Sequence, residues 1–500
     1  MQTKIKTILS IFILFVSVTS CDDYLDLKPQ DGIIRSEFWK TKEDIQAAVG
    51  GIYSSLLNSP PGVSDFPISQ YLFMYGDLRG DMVAPGVNVE PDERAIMTSN
   101  ITASNNLTNW DAFYRTINYC NTVIELAPGV KEKDPTLTQT QLNNFLSEAL
   151  AIRAYMYFTL ARTFRDVPLK INATLSDVDN FQIPTSPQSV IFDQVIKDLK
   201  LAEQYAVTEY SNNASTKGRI TVYAINAMQA DVYLWTDKYQ EALDATNKII
   251  DSKKYSLFET SSYGTWYNTV FSNGNSVESI FEFQYTTTNL GPFYSIFYQR
   301  PKFQTAGNVA EDVFGIDPDN PTTNRDIRGE EASIIGSINR IYKFIGNSEG
   351  TKALQDSDTH WFVYRYGDAL LMKAEALAEL NQGAEALAII KDLRLKRRAI
   401  SQTEMSVGAS DKNGIIDYVL AERSRELAFE GKRWFDMLRV ARRNNYERKD
   451  ILINAAILNA PPDQQQSIIT KLEDPNSHYL PINTYELFTN KALVQNPFYK

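Results

Sequence analysis

The chain has 500 residues, 43% of them hydrophobic and 22% charged, which supplies a sizeable packed core and excludes a disordered chain. Its formal charge of −11 disfavours nucleic acid as a partner. His360 and His478 are the only histidines and lie far apart, so a histidine-based zinc site or a Ser/His/Asp hydrolase has little to draw on.

Residues 1–20 read as a secretory leader. Lys4 and Lys6 make its positive start, and the apolar run 8–18 is too short to span a bilayer comfortably. The run ends in Val18-Thr19-Ser20-Cys21, a small residue before a cysteine, which resembles a bacterial lipobox. The implied chemistry is cleavage before Cys21 and acylation of its thiol. Cys120 is then the remaining thiol, in a helical pattern that makes it a small buried residue. Residues 21–37 have few helix signals and read as a tether. A single domain, 38–500, follows.

Its first helix starts near Thr41, a plausible N-cap with Asp44 three residues on. Helical periodicity recurs at 110–126, 138–163, 189–205, 220–235, 239–251, 364–380 and 384–398. Shifting the chain by 144 positions lays Ala230 on Ala374, and Ala242-Leu243 on Ala386-Leu387. Small residues at that spacing resemble a tetratricopeptide hairpin, with Asp237-Lys238 where a turn glycine is usual. One hairpin cannot bury its own face, so several must stack. The fold class expected is mainly α: about four degenerate tetratricopeptide-like hairpins with long irregular insertions and small β elements.

Two insertions, 59–109 and 252–359, resist helical reading and are rich in Gly, Pro, Asn and Ser. The first holds Phe66, Tyr71, Phe73 and Tyr75, then Asp77, Arg79 and Asp81. The second holds Tyr263, Trp266, Tyr267, Phe293, Tyr294, Phe297, Tyr298 and Phe303, with Trp361 just past its end. Irregular insertions on a rigid scaffold commonly carry function, but loop aromatics also anchor loops, and Arg79 and Asp81 are equally suited to a structural pair. Within the second insertion, "SVESIFEFQY" alternates apolar and polar residues as a strand does.

In 417–439, Val419, Leu420, Leu427 and Ala428 share a helical side. Glu422, Glu426 and Glu430 fall on the other, with Arg423 and Arg425 between them, so these charges are expected to pair along the surface. Gly431 is expected to cap the first run in a left-handed conformation, and Trp434, Phe435 and Leu438 to fold an apolar face back on it.

The order "ERSRELAFEGKRWFDMLR" resembles the C-terminal signature of the SusD/RagB family, surface nutrient-binding lipoproteins of Bacteroidetes-type bacteria. "RYGDALLMKAEALAEL", "YLPINTYELFTNKALVQNPFY" and the segments after Cys21 are similar to further family hallmarks, in the family's order. The resemblance implies that Asp22-Asp23 act as a surface-export signal. It also implies an outer-membrane protein facing outward that passes an extracellular glycan to a TonB-dependent porin of the SusC type. The glycan would lie on the insertions, aromatic faces stacking on sugar rings and polar groups meeting the hydroxyls. The implied ligand candidates are Tyr71, Tyr75, Arg79, Asp81, Tyr263, Trp266, Tyr267, Tyr294, Tyr298 and Trp361. A peptide-binding member, as RagB resembles, is the alternative within the family.

Other motifs lead less far. "GNSEGTK" (346–352) lacks the spacing and Gly-Lys of a phosphate loop. "DPDN" (317–320) is not an EF-hand loop and leaves only a loose Ca²⁺ site to consider; no other cofactor or metal is expected. Glu278 and Glu282 share one face of the expected strand, either as a solvated face or as the carboxylate pair of a glycoside hydrolase. No Gly-x-Ser-x-Gly elbow occurs, and the expected function is non-catalytic.

Overall fold

A computed structural model describes residues 38–59, 66–175, 180–260, 262–307, 309–316, 325–347, 350–458 and 460–500. Cys21, the tether and the Asp317–Asn320 segment considered for Ca²⁺ lie outside the described residues.

Helix α1 (Lys42–Leu57) begins as its residues dictate. The Thr41 hydroxyl accepts from the Asp44 amide at 3.3 Å, and the Asp44 carboxylate accepts from the Thr41 amide at 2.8 Å. After α2 (Ile68–Asp77) come α3 (Asp111–Leu126), α4 (Gln139–Phe164), α5 (Gln188–Tyr205), α6 (Val222–Trp235) and α7 (Tyr239–Asp251). Farther on are α8 (Tyr366–Glu379), α9 (Gly383–Lys396), α10 (Lys412–Glu426) and α11 (Arg433–Ala441). From α3 to α9 each packs on the next, α8 also packs on α10, and α10 packs on α11, so the apolar stripes close over one continuous core. Cys120 is fully buried in α3.

The repeat is real in three dimensions. Ala230, Ala242, Ala374 and Ala386 are all fully buried where paired helices meet. The turn residue of the α6–α7 pair, Asp237, has φ 58°, and its repeat mate Asn381, between α8 and α9, has φ 61°. Asp and Asn tolerate the left-handed region better than other side chains, so they stand in for glycine.

Two expectations fail for one reason. The first insertion is not irregular throughout: α2 lies inside it, and all of its residues from Ile68 to Asp77 are buried. A helix covered on every side shows no amphipathic stripe, which hides it from periodicity. The expected strand forms as β2 (Ser279–Phe283), paired antiparallel with β4 (Trp361–Arg365). Both its faces are buried, so Glu278 and Glu282 are not a solvated face. Glu278 accepts from Arg397 at 2.6 Å, and Glu282 from His360 at 2.6 Å.

The surface charge pairing expected in 417–439 is also overturned, because Glu422, Glu426 and Glu430 are buried. Arg328 and Arg394 bind Glu422, Arg365 and Arg397 bind Glu426, and Lys343 binds Glu430, at 2.5–3.0 Å. These partners come from the second insertion, β4, and α9 with its C-cap residue Arg397. Burial alone would raise the Glu422 carboxyl, but Arg328, Arg425 and Arg394 outweigh it and hold it at about 2. In such a lattice desolvation offsets much of the Coulombic attraction, so removing one partner costs more than the intact lattice contributes. Helix α10 ends at Glu426, and Gly431 (φ 70°) lies in the connection beyond it, following Phe429 (φ 63°). Trp434, Phe435 and Leu438 are buried, as their spacing predicts.

Candidate functional site

The two insertions are joined by a small antiparallel ribbon, β1 (Val83–Pro85) with β3 (Phe303–Thr305), in the register Val83↔Thr305 and Pro85↔Phe303. The ladder continues where Gly86 donates to Lys302 O at 2.7 Å and Asn88 to Pro301 O at 3.1 Å. A Cβ on Gly86 would stand 2.3 Å from Pro301 O, so only glycine lets the two chains approach here. Thr305 donates to Asn339 O at 2.9 Å, which brings the Ile338–Arg340 turn alongside. Lys302 pairs with Glu93 at 2.8 Å and ties the short helix Pro91–Met97 to the same ribbon.

Just before β3, Ser295–Gln299 forms a π-helical turn closed by Arg300 donating to Ser295 O at 2.8 Å. Such turns are uncommon and recur at functional sites. Four residues apart, Tyr294 and Tyr298 lie on one side of it, ring centroids 5.2 Å apart and inclined at 51°. The Arg340 guanidinium sits 4.7 Å from the centre of the Tyr298 ring. Tyr298 is 38% exposed, with Ile338 (52%) and Val87 (87%) exposed in the segments the ribbon gathers beside it. An exposed phenol, a guanidinium and neighbouring apolar side chains can hold the C–H face of a sugar ring while donating to its hydroxyls.

Of the sequence-predicted candidates, Tyr298 is exposed on this face, and Tyr294, 8% exposed, is buried beside it and backs its ring. The others serve the fold. Tyr71 packs against Phe66, Tyr75 and Phe113, and the Tyr75 hydroxyl donates to Leu107 O at 2.8 Å. Arg79 does not pair with Asp81. It donates to Ser477 O and His478 O at 2.8 and 2.6 Å and stacks 4.0 Å from Trp434, whereas Asp81 binds Arg433 at 2.7 Å. Trp266 and Tyr267 are buried, Trp266 beneath Arg397 and Tyr267 bonded through its hydroxyl to the Gly346 amide. Trp361 is stacked on Phe293 and Phe344, with centroids at 5.0 and 5.5 Å. Tyr263 is half-buried under Arg325 at 4.3 Å. A ring already covered on its faces cannot stack on a ligand, which corrects the reading of Tyr71, Tyr75, Trp266, Tyr267 and Trp361.

Sequence reasoning missed Arg340, Ile338 and Val87. The available signal was the Ser-Ile-Asn-Arg turn, where Asn339 takes φ 49°.

The profile described as "SusD family" matches residues 199–499, more than half of the chain. The chain belongs to the SusD family. A second profile, described as "Starch-binding associating with outer membrane", matches residues 23–234 of this SusD-family chain. It is similar to SusD-like protein P38 of Formosa agariphila, 26% identical over 485 residues that cover 87% of this chain and 92% of that one. SusD-like protein P2 of the same organism is 23% identical, covering 86% and 90%. The crystal structure of a SusD superfamily protein from Bacteroides vulgatus superposes with a TM-score of 0.73 at 20% identity, covering 92% of this chain and 100% of that one. At that identity it shows a shared fold, the helical stack with its insertions.

Proposed function

We propose that this SusD-family protein is a surface glycan-binding lipoprotein. It is anchored in the outer membrane through acylated Cys21, captures an oligo- or polysaccharide on the Tyr298 face, and delivers it to a TonB-dependent porin of the SusC type. The observation that carries the reading is the exposed Tyr298 ring with the half-buried Arg340 guanidinium beside it, where the two insertions meet. The description "Starch-binding associating with outer membrane" supports the ligand class and the location. Binding without hydrolysis is the reading adopted, because the carboxylate pair singled out for catalysis, Glu278 and Glu282, is sealed in the core away from any sugar.

Affinity electrophoresis of the full-length protein in detergent tests this, in gels cast with starch, xylan, galactomannan or laminarin, beside binding of mixed extended peptides. Retardation by one polysaccharide, with no reducing sugar released, is expected. Peptide binding without retardation would move the protein to the RagB-like alternative. Protease treatment of intact cells should remove the protein from the surface, and co-purification with an outer-membrane porin tests the partner.

A further inference from the structure

A cleft of about 410 Å³ lies apart from the Tyr298 face, between α3, the 168–174 segment and the C-terminal 485–493 segment. Its volume is within the roughly 300–1,000 Å³ of small-ligand sites. Trp110, Tyr114, Ile117 and Asn118 enter it from α3 and the residue before it, at helical spacing. Across from them are Phe181, 53% exposed, and Tyr485, 69% exposed. Large exposed rings gathered at one cleft mark a binding surface.

The walls are held by hydrogen bonds between segments far apart in sequence. Tyr114 donates to Pro168 O at 2.6 Å, Asn490 to Ile183 O at 2.8 Å, and Gln182 to Thr489 O at 3.0 Å. A cleft set in advance loses less entropy on binding. Its polar groups keep unused capacity. Asn118 Oδ1 accepts from the Thr174 amide at 2.7 Å, but among the described residues Asn118 Nδ2 and Lys170 Nζ donate to nothing. Burial raises the Glu486 carboxyl, and a bond from Trp110 opposes that.

An acyl chain would cover Asn118, Lys170 and Glu486 without bonding them. One lysine and one glutamate give no net charge with which to select an ion. A neutral ring with an apolar face and hydroxyl edges satisfies both. We infer that this cleft is a second carbohydrate site, taking the end of a neutral pyranose oligosaccharide with Tyr485 and Phe181 against its rings. It rests on the glycan reading but uses a different surface. Two sites on one body let a single polysaccharide bind twice, raising avidity without a new contact at either.

Saturation-transfer NMR on the full-length protein in detergent, with the methyl pyranosides of glucose, galactose, mannose and xylose, tests this. Wild type is compared with Tyr485→Ala/Phe181→Ala and with Tyr294→Ala/Tyr298→Ala, folding being checked by circular dichroism. At least one glycoside should show transfer that survives the Tyr294/Tyr298 change and weakens about tenfold when Tyr485→Ala/Phe181→Ala is added to that variant. Tyr485→Phe, which keeps the ring, should restore it to within about twofold. Transfer unchanged in the Tyr485/Phe181 variant and lost in the Tyr294/Tyr298 variant would overturn the cleft site alone. Absence of transfer from all four glycosides to wild type would overturn the cleft together with the glycan reading. Displacement by an amphipathic helical peptide, with no glycoside effect at the cleft, would reassign it to protein docking.

Discussion

The Gly431 amide donates to the Asp77 carboxylate at 2.7 Å, across 354 positions of chain. The contact seats the end of α2 against the connection between α10 and α11, so the first insertion and the C-terminal signature are one structural unit. Next to it, a Cβ on Gly76 would lie 1.8 Å from Gly431 O, and one on Gly431 would lie 2.6 Å from Leu72 O. Backbone meets backbone here, and neither side can yield as a flexible side chain would. Gly76→Ala should therefore destabilise the protein by roughly 3 kcal/mol or more, read as a drop in the urea midpoint, whereas Gly50→Ala, with open space around it, should be neutral or stabilising.

The buried lattice predicts a cost out of proportion to a one-atom change. Glu426 faces Arg365, Arg397 and Arg328 within 3.2 Å. Glu426→Gln keeps the shape but leaves those guanidiniums short of a counter-charge, at a cost of roughly 3–5 kcal/mol in unfolding free energy. A surface pair such as Lys254–Glu209 should change stability by at most about 1 kcal/mol when broken.

Acid should unfold the protein through the same lattice. The folded-state value of Glu422, about 2, lies below its ordinary 4.5, so its contribution is present above pH 4.5 and is lost as pH falls through 2. Asp77 works in the opposite sense. Burial, opposed by the Gly431 bond, raises it from 3.8 to about 7, so between those values the folded state holds a proton that the unfolded chain has released. Its contribution therefore declines as pH rises from 3.8 to 7. Asp77→Asn should remove that decline, its urea midpoint gaining on wild type across this window and then levelling off. A constant offset at every pH would refute the assignment.

Stability and ligand affinity should separate cleanly among the aromatic residues. Trp266→Ala should cost roughly 3–5 kcal/mol in stability, because it empties a buried site beneath Arg397. Tyr298→Ala should leave stability within about 0.5 kcal/mol while weakening polysaccharide retardation about tenfold. If Tyr298→Ala leaves retardation untouched, the ligand face is elsewhere.

The helical stack could be read in advance because helices such as α7 keep one apolar stripe, and the 144-residue self-match marks the repeating unit. Even the turn was legible: Asp237 and Asn381 occupy equivalent places because both tolerate the left-handed region. The order of motifs identified the family by the same local means. Burial of charge was not legible. Glu422, Glu426 and Glu430 carry the spacing of a solvated face, and only the arrival of Arg328, Arg365, Arg394, Arg397 and Lys343 from elsewhere in the chain turns that face inward. The same holds for the aromatics. Nothing local distinguishes Tyr298, 38% exposed, from Tyr267, buried under its neighbours. A side chain's type is set by its own codon, but its exposure is set by what long-range packing places on top of it, and that is decided only when the chain closes on itself.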